Sequence, residues 1–509
     1  MKANIFAVPE ADRAELLQKL ESIGMLLIQT VEQDQWQGDF YYSPDAVPKE
    51  ATWAAPFRSY FTDRAIPETR SPFAVYVFTK ENRTYVLSYG KAHFYVRPYC
   101  DYDFGVELAK RIAQEGDTRL TAAKRFSGRQ RKSIRSYSNA TKLSVESGES
   151  IDYVQAAVLE SLVGDFGSIG KFGTSAQLAV DMSADDIGQL LTKVDAQLGN
   201  KPRFSMPRTT LVTDELEVSR LDQLLLDQLQ MEAGTTEFTS NAYDLYGVDF
   251  VFGSVGHYTI KYGRHTQDVA QLTMLELKKF IAAQAIPRER ILRIKIVHHQ
   301  DDGPTYTSEL KRDLDFIADD DRVVLSAGRW MKFNQDYLDF LDEYLRGIEV
   351  EPTEPGLLET TLTEGDFNVS DGVAQAGYEV ADKNFNILKT KSSTPIEAWD
   401  LKRGDTVYAV KFGTAQKLGY VCDQAMTVLE LLRNKAGVSE IPDFRSYCLW
   451  LGYRGQKLPQ SIADTGSIIL KQKIEAWARA TEALGLTPVL KISRRLRAGV
   501  DASQQSATA

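Results

Sequence analysis

Apolar and polar positions along this chain switch between two periods, and the switches mark its elements. "NIFAVP" is a strand-like apolar run. "ADRAELLQKLESIG" then sets apolar residues at helical spacing and ends at Gly24, a residue suited to a left-handed helix stop. "FAVYVFTKENRTYVLSYG" predicts a hairpin, two β-rich runs joined at Glu81-Asn82-Arg83. "DYDFGVELAKRIAQEG" predicts a helix with Asp103 as its N-cap. Further helices are predicted at "DYVQAAVLESL", "SADDIGQLLTKVDAQL", "ELEVSRLDQLLLDQLQME" and "DVAQLTMLELKKFIAAQ", and strands at "ILRIKIVHH" and "RVVLSAGRWMKF". "GNKPRFSMPR" breaks the pattern at Pro202 and Pro207, and "EPTEPGLLE" reads as a linker around Pro352 and Pro355. A strand–turn–strand region and helices at 422–436 and 467–485 follow.

This interleaving predicts a mixed α/β or α+β class, multidomain, with mixed sheets and flanking helices. At 509 residues the chain exceeds one ordinary core. The expected division is an N-terminal α+β domain over 1–200, a middle α/β domain over 201–350, a C-terminal α+β domain over 351–495 and a disordered tail over 496–509. "MLLIQTV" and "FAVYVF" are strand-sized, far short of a bilayer span, and the N-terminus lacks a signal-peptide pattern. Cys100, Cys422 and Cys448 lie far apart with no CxxC pair, which fits a reducing compartment. The expectation is a cytoplasmic protein with no membrane contact.

Charge changes the picture. With 60 Lys and Arg against 70 Asp and Glu, the chain carries a net charge of −10, so its surface as a whole does not coat a polyanion. Yet the 28 residues from Thr118 to Val145 hold eight cations and no acid: Arg119, Lys124, Arg125, Arg129, Arg131, Lys132, Arg135 and Lys142. Phe126 and Tyr137 are interleaved with them, which suits stacking on bases beside phosphate contacts. A solvated basic loop is the plainer reading of such a run.

Other motifs are weaker. "GDFGSIGKFGTS" has five residues between Gly164 and Gly170 where a phosphate loop needs four, and Phe172 replaces the magnesium-binding hydroxyl, so a glycine-rich turn is expected. "VHHQDDG" offers His298, His299, Asp301 and Asp302, but adjacent strand residues face opposite sides, and nothing in the sequence brings His257 or His265 near. In the last third, Asp382, Glu397, Asp400 and Lys411 are the types that metal-dependent nucleases use. Carboxylates there hold the metal and a lysine steadies the phosphate. Ala409 occupies the position two before the lysine where such sites often carry an acid.

The blocks "YVLSYGKAHFYV", "DYDFGVELAKRI", "KFGTSAQLAVDMSADDIGQLL", "VVLSAGRWMKFNQDYLDFLDEYL" and "IEAWDLKRGDTVYAVKFGTAQKLGYVCDQA" occur in an order that resembles the sporadically distributed, DUF6119-type bacterial proteins, from about residue 75 to about residue 435. The resemblance implies a Phe-Gly pair opening a helix, matched by Phe104 and Gly105. It also implies a Gly-basic-Trp unit, matched by Gly328, Arg329 and Trp330, and an acidic strand leading to a lysine strand, matched by Glu397, Asp400 and Lys411. It departs where Tyr420 stands in place of a histidine and Ala425 follows Gln424. The family's patchy distribution, like that of mobile-element and phage-defence cargo, implies nucleic acid as its object.

The expected function is therefore nucleic-acid binding, DNA before RNA, in a bacterial defence or mobile-element setting, with the basic segment on phosphates. One alternative is a metal-dependent nuclease using Asp382, Glu397, Asp400 and Lys411 with Mg2+ or Mn2+. Another is a scaffold or sensor that binds a protein partner encoded nearby.

Overall fold

The two-residue period governs the N-terminal part of the chain. A computed structural model describes residues 1–44, 48–126, 132–230, 237–238, 243–246, 249–252, 255–300, 305–319, 321–381, 399–433, 444–454 and 458–496. Ten strands form one antiparallel sheet in the order Leu26–Gln33, Trp36–Tyr42, Ala74–Lys80, Arg83–Tyr89, Lys2–Val8, Ala176–Ala179, Ile169–Phe172, Glu149–Val158, Ala113–Arg125 and Lys132–Thr141. The expected hairpin closes at Lys80–Arg83, with Glu81 at φ 53°. One face packs Phe6, Val75 and Val77 on helix Glu10–Ser22, which ends before Gly24 at φ 79°. The other packs Ile5, Phe78 and Leu87 on helices Phe104–Ile112 and Ile187–Leu198.

Two expectations fail here for one reason. "DYVQAAVLESL" is not a helix; most of it lies in strand Glu149–Val158, hydrogen-bonded on both sides, with Tyr153, Val154, Ala156 and Val158 buried. The helix after Asp103 stops at Ile112, and the chain turns at once into strand Ala113–Arg125. Pairing within a large sheet overrides the helical tendency of these alanine-rich stretches. Asp103 does not cap its helix through its side chain either; its carboxylate meets Arg208 at 2.8 Å. Burial pushes that carboxyl up, against the pull of Arg208. The glycine-rich stretch is, as expected, a turn region: Gly167, at φ 78°, leads into the hairpin Ile169–Phe172/Ala176–Ala179.

The middle of the chain builds two smaller sheets. Thr209–Leu211, Arg329–Phe333, Val323–Ser326, Leu314–Ala318 and Glu237–Phe238 form one; His265–Val269, Val255–Tyr262, Lys295–Gln300 and Tyr306–Glu309 form the other. The Gly-Arg-Trp unit is structural. Gly328 takes φ 80° in a tight turn, and Trp330 is buried with its indole N–H on Asp222 at 2.7 Å. Arg329 reaches the carbonyl of Pro98 and covers the Tyr102 ring.

The C-terminal sheet contains four parallel strands in the order Glu349–Glu351, Thr487–Arg495, Ser446–Tyr453 and Thr406–Gly413, with Leu401–Arg403 added antiparallel. Helices Ala415–Arg433 and Ile468–Glu482 cover one face through Val421, Leu429, Ile474 and Trp477; helix Gln335–Gly347 joins them through Tyr337 and Leu341. Phe367, Val373 and Tyr378 cover the other. The stretch read as a linker is instead built in: Glu349–Glu351 is a strand of this sheet, and the helical turn Pro355–Leu357 follows it. The tail over 497–509 lies outside the described residues.

Gly105 shows why the Phe-Gly pair takes this form. A Cβ there would sit 2.2 Å from the Ser175 carbonyl oxygen and 2.5 Å from that of Gly173. Gly105→Ala is expected to lower stability by at least about 1–3 kcal/mol in urea unfolding, because backbone must move. Gly116→Ala, with open space around it, is the control and should shift stability by less than about 0.5 kcal/mol.

Candidate nucleic-acid interface

The acid-free segment is a long hairpin, and its cations are met by carboxylates from elsewhere. Arg125 donates to both oxygens of Glu475 at 3.0 and 2.9 Å and to Glu146 at 2.7 Å. Arg135 grips Glu149 with two bonds of 2.7 Å and also reaches Glu146. Lys124 meets Asp315 at 3.1 Å and the Ser326 hydroxyl. Glu149 and Glu475 are almost fully buried. Burial pushes the Glu475 carboxyl up, opposed by Arg125 and Arg479. Lys132 lies within electrostatic reach of Asp152, whose carboxyl burial also raises. Arg119 and Lys142 are exposed, with surface partners Asp117 and Glu115. Arg129 and Arg131 lie outside the described residues. Phe126 is buried edge-on against Phe333 at 5.3 Å and does not offer its ring to a base. The hairpin thus spends Lys124, Arg125 and Arg135 on internal ties.

The carboxylate–lysine set is brought together only in part. Asp400 accepts the Val410 N–H at 2.6 Å. Lys411 donates to Glu364 at 2.9 Å, and the other oxygen of Glu364 accepts the Phe412 N–H at 3.4 Å. The neighbouring strand pairs only through Tyr408, so the two carboxylates satisfy backbone donors beyond its reach. Glu364 was not expected; it opens the short helix Glu364–Asn368, 47 residues before Lys411, and no spacing pattern links the two. Asp382 and Glu397 lie outside the described residues. Asp400 and Glu364 are committed to backbone and lysine, and among the described residues no group of three His, Cys, Asp or Glu is placed to hold a metal ion. The described residues therefore do not assemble an Mg2+ or Mn2+ site.

A different set does converge at the carboxyl ends of the parallel strands. Gly413, Tyr453 and Arg494 stand side by side in register. Arg454 follows Tyr453, is exposed, and closes the lip by donating its backbone N–H to Gly413 at 3.0 Å. Helix Ala415–Arg433 starts there, and Lys417 is so close to Gly413 that a Cβ on the glycine would lie 2.8 Å from its own. One turn further, exposed Tyr420 lies under Lys473, which also pairs with Asp423. Tyr420 faces solvent beside the lip. The lip combines a helix start, Lys411, Lys417, Lys473 and Arg454, and the rings of Tyr420 and Tyr453.

Below the opposite face sits an ionic cluster that the sequence did not disclose. Lys491, wholly buried, donates to Glu351 at 2.8 Å and to Tyr378 Oη at 2.8 Å, and lies 3.0 Å from Glu354. Its ammonium also lies over Trp450. Arg403 bonds both glutamates, and Tyr408 donates to Glu351 at 2.9 Å. The only signal was a lysine inside the apolar run "TPVLKIS". Burial works to raise the Glu354 carboxyl, but its own backbone N–H, Lys491 and Arg403 outweigh it and hold it at about 2. A carboxyl depressed from 4.5 to about 2 adds stability above 4.5 that is lost as pH falls through that window. Acid titration of unfolding stability should show this loss, and Glu354→Gln should flatten that stretch of the curve. An unchanged slope in the variant would contradict the assignment.

Cys100, Cys422 and Cys448 are buried free thiols, and no helix of the described residues is long and apolar enough to cross a membrane. No curated protein matches the chain. The model of one family, described as a family of unknown function (DUF6119), matches residues 14–446, and it is to this family that the chain belongs.

Proposed function

We propose that this protein binds nucleic acid, and that the contact is the lip at the carboxyl ends of the parallel strands rather than the body of the basic hairpin. The observation that carries this reading is the exposed grouping of Lys417, Arg454 and Tyr420 around the start of helix Ala415–Arg433. Ligands of open α/β sheets sit at this end of the strands, and a helix start favours phosphate. Cations that follow a backbone beside exposed rings suit single-stranded or frayed nucleic acid, where bases can stack. In the hairpin, by contrast, Lys124, Arg125 and Arg135 already face carboxylates. A defence or mobile-element role is compatible with this chemistry and is proposed on the family resemblance alone.

The second reading is a metal-dependent nuclease. It is favoured by one observation: Asp400 and Glu364 flank the lysine strand at Val410 and Phe412, beside Lys411. Residues beyond those described would have to complete its ligand set.

Binding of short single-stranded and duplex DNA and RNA, measured by fluorescence anisotropy across a salt series, tests the first reading. Affinity should fall steeply with salt. Lys417→Glu with Arg454→Glu should weaken it at least about tenfold and reduce the duplex salt slope by about 1.8, two contacts at about 0.9 each. Wild-type affinity in that variant, with loss in an Arg129→Glu/Arg131→Glu protein, would move the contact to those two arginines and overturn the proposal. Cleavage in Mg2+ or Mn2+ that stops in EDTA and in Lys411→Ala would instead establish the nuclease.

A further inference from the structure

A second cationic site lies in the middle of the chain, away from both regions above. A cavity of about 500 Å3 is lined by Tyr262, Gly263, Arg264, His265, Arg290 and Arg293. Its two walls follow from local sequence. The hairpin Val255–Tyr262/His265–Val269 closes with Tyr262 opposite His265, and Gly263, at φ 58°, takes the first central position that a two-residue turn reserves for glycine. This sets Arg264 at the tip. The other wall is the 3-10 helix Arg288–Arg293, started by Pro287. Ile291 is buried in the core, and Arg288 ties the helix to Gln223 and Asp227 of helix Glu215–Gln230. Side chains three apart eclipse in a 3-10 helix, so Arg290 and Arg293 leave from the same face.

The charge balance of this site differs from that of the rest of the molecule. Arg125, Arg135, Arg208, Arg403 and Lys491 each meet carboxylates. Among the described residues no ion pair engages Arg264, Arg290 or Arg293, and no carboxylate lines the cavity. Lys261 and Lys295 lie opposite each other on the adjoining strands and add to the same field. Glu289 is the one acid within Arg288–Arg293, and Glu309 sits across from Lys295. Three guanidiniums around one opening repel one another until an anion enters.

We propose that this cavity binds tandem phosphate groups, as carried by a nucleoside di- or triphosphate or by the 5′-triphosphate end of an oligonucleotide. A guanidinium grips phosphate oxygens with paired N–H donors, and three of them match two or more adjacent phosphates better than a single anion. The volume suits a nucleotide-sized ligand. Tyr262 also lines the cavity, its side chain partly buried against the core.

Titration calorimetry on the full chain tests this, with pyrophosphate, a nucleoside triphosphate, and matched oligonucleotides bearing 5′-triphosphate or 5′-hydroxyl ends. Sulfate is the control. Pyrophosphate should bind more tightly than sulfate by at least about tenfold. Arg290→Ser with Arg293→Ser should remove that advantage while leaving the thermal unfolding midpoint unchanged, since both side chains are exposed. Arg290→Lys with Arg293→Lys, which keeps charge but loses the paired donors, should recover only part of it. The Lys417→Glu/Arg454→Glu protein should bind pyrophosphate as the wild type does, which separates this site from the lip. A nucleoside triphosphate that binds as well as the triphosphorylated oligonucleotide marks a free nucleotide as the ligand; preference for the oligonucleotide marks a nucleic-acid end. Wild-type pyrophosphate binding in the double serine variant, or no preference over sulfate, overturns the proposal.

Discussion

Arg125 reaches from the ninth strand of the N-terminal sheet to Glu475 on a C-terminal helix, across 350 residues of sequence. Glu475 is nearly inaccessible to water and is also held by Arg479. A charge buried this deeply requires its partner, because removing one member leaves the other desolvated and costs about 3–5 kcal/mol. Around this pair stand Glu146, Glu149 and Arg135, then Tyr337, which joins Gly148 to Gln472 through its hydroxyl. Lys124 extends the tie to Asp315 and Ser326 in the middle sheet. One hairpin therefore contacts both other parts of the molecule through charge. The counter-charges flank the acid-free stretch, as Asp117, Glu146 and Glu149, or come from distant elements, as Asp315 and Glu475.

The same logic holds on the far side of the C-terminal sheet, where Lys491 is enclosed by Glu351, Glu354, Tyr378 and Trp450. Such clusters are weak sources of stability compared with apolar packing of equal volume, but they tolerate few alternative arrangements. They fix the strand bearing Lys491 against Glu349–Glu351 at one edge, while Asp400 and Glu364 hold the strand bearing Lys411. The lip at the strand ends is thereby built on a rigid sheet. At the lip Lys417 and Arg454 are exposed, in contrast with Lys124, Arg125, Arg135 and Lys491, which meet carboxylates.

Much of the architecture was legible and most of the electrostatics was not. Helices Glu10–Ser22, Ile187–Leu198 and Glu215–Gln230 followed from apolar spacing, and the hairpin through Glu81 followed from its turn. Glu149–Val158 misled because its alanines favour a helix until two strands flank it. "EPTEP" looked like a spacer because prolines and acids usually face water; here the acids neutralise a buried lysine. Lys411 and Asp400, singled out in the sequence, lie on and beside the strand Thr406–Gly413, but Glu364, Lys417 and Arg454 were not singled out, since only folding places them at one edge. His257 and His299, which nothing in sequence connects, stack at 4.2 Å across paired strands.

The central claim is that the basic hairpin is an internal electrostatic tie. A double-mutant cycle on Arg125→Met and Glu475→Gln, read by urea unfolding, tests it most directly. The account expects each single change to destabilise strongly and the double change to recover about 2–3 kcal/mol of coupling. Single effects that add to within about 0.5 kcal/mol would contradict it and return the hairpin's cations to an external partner.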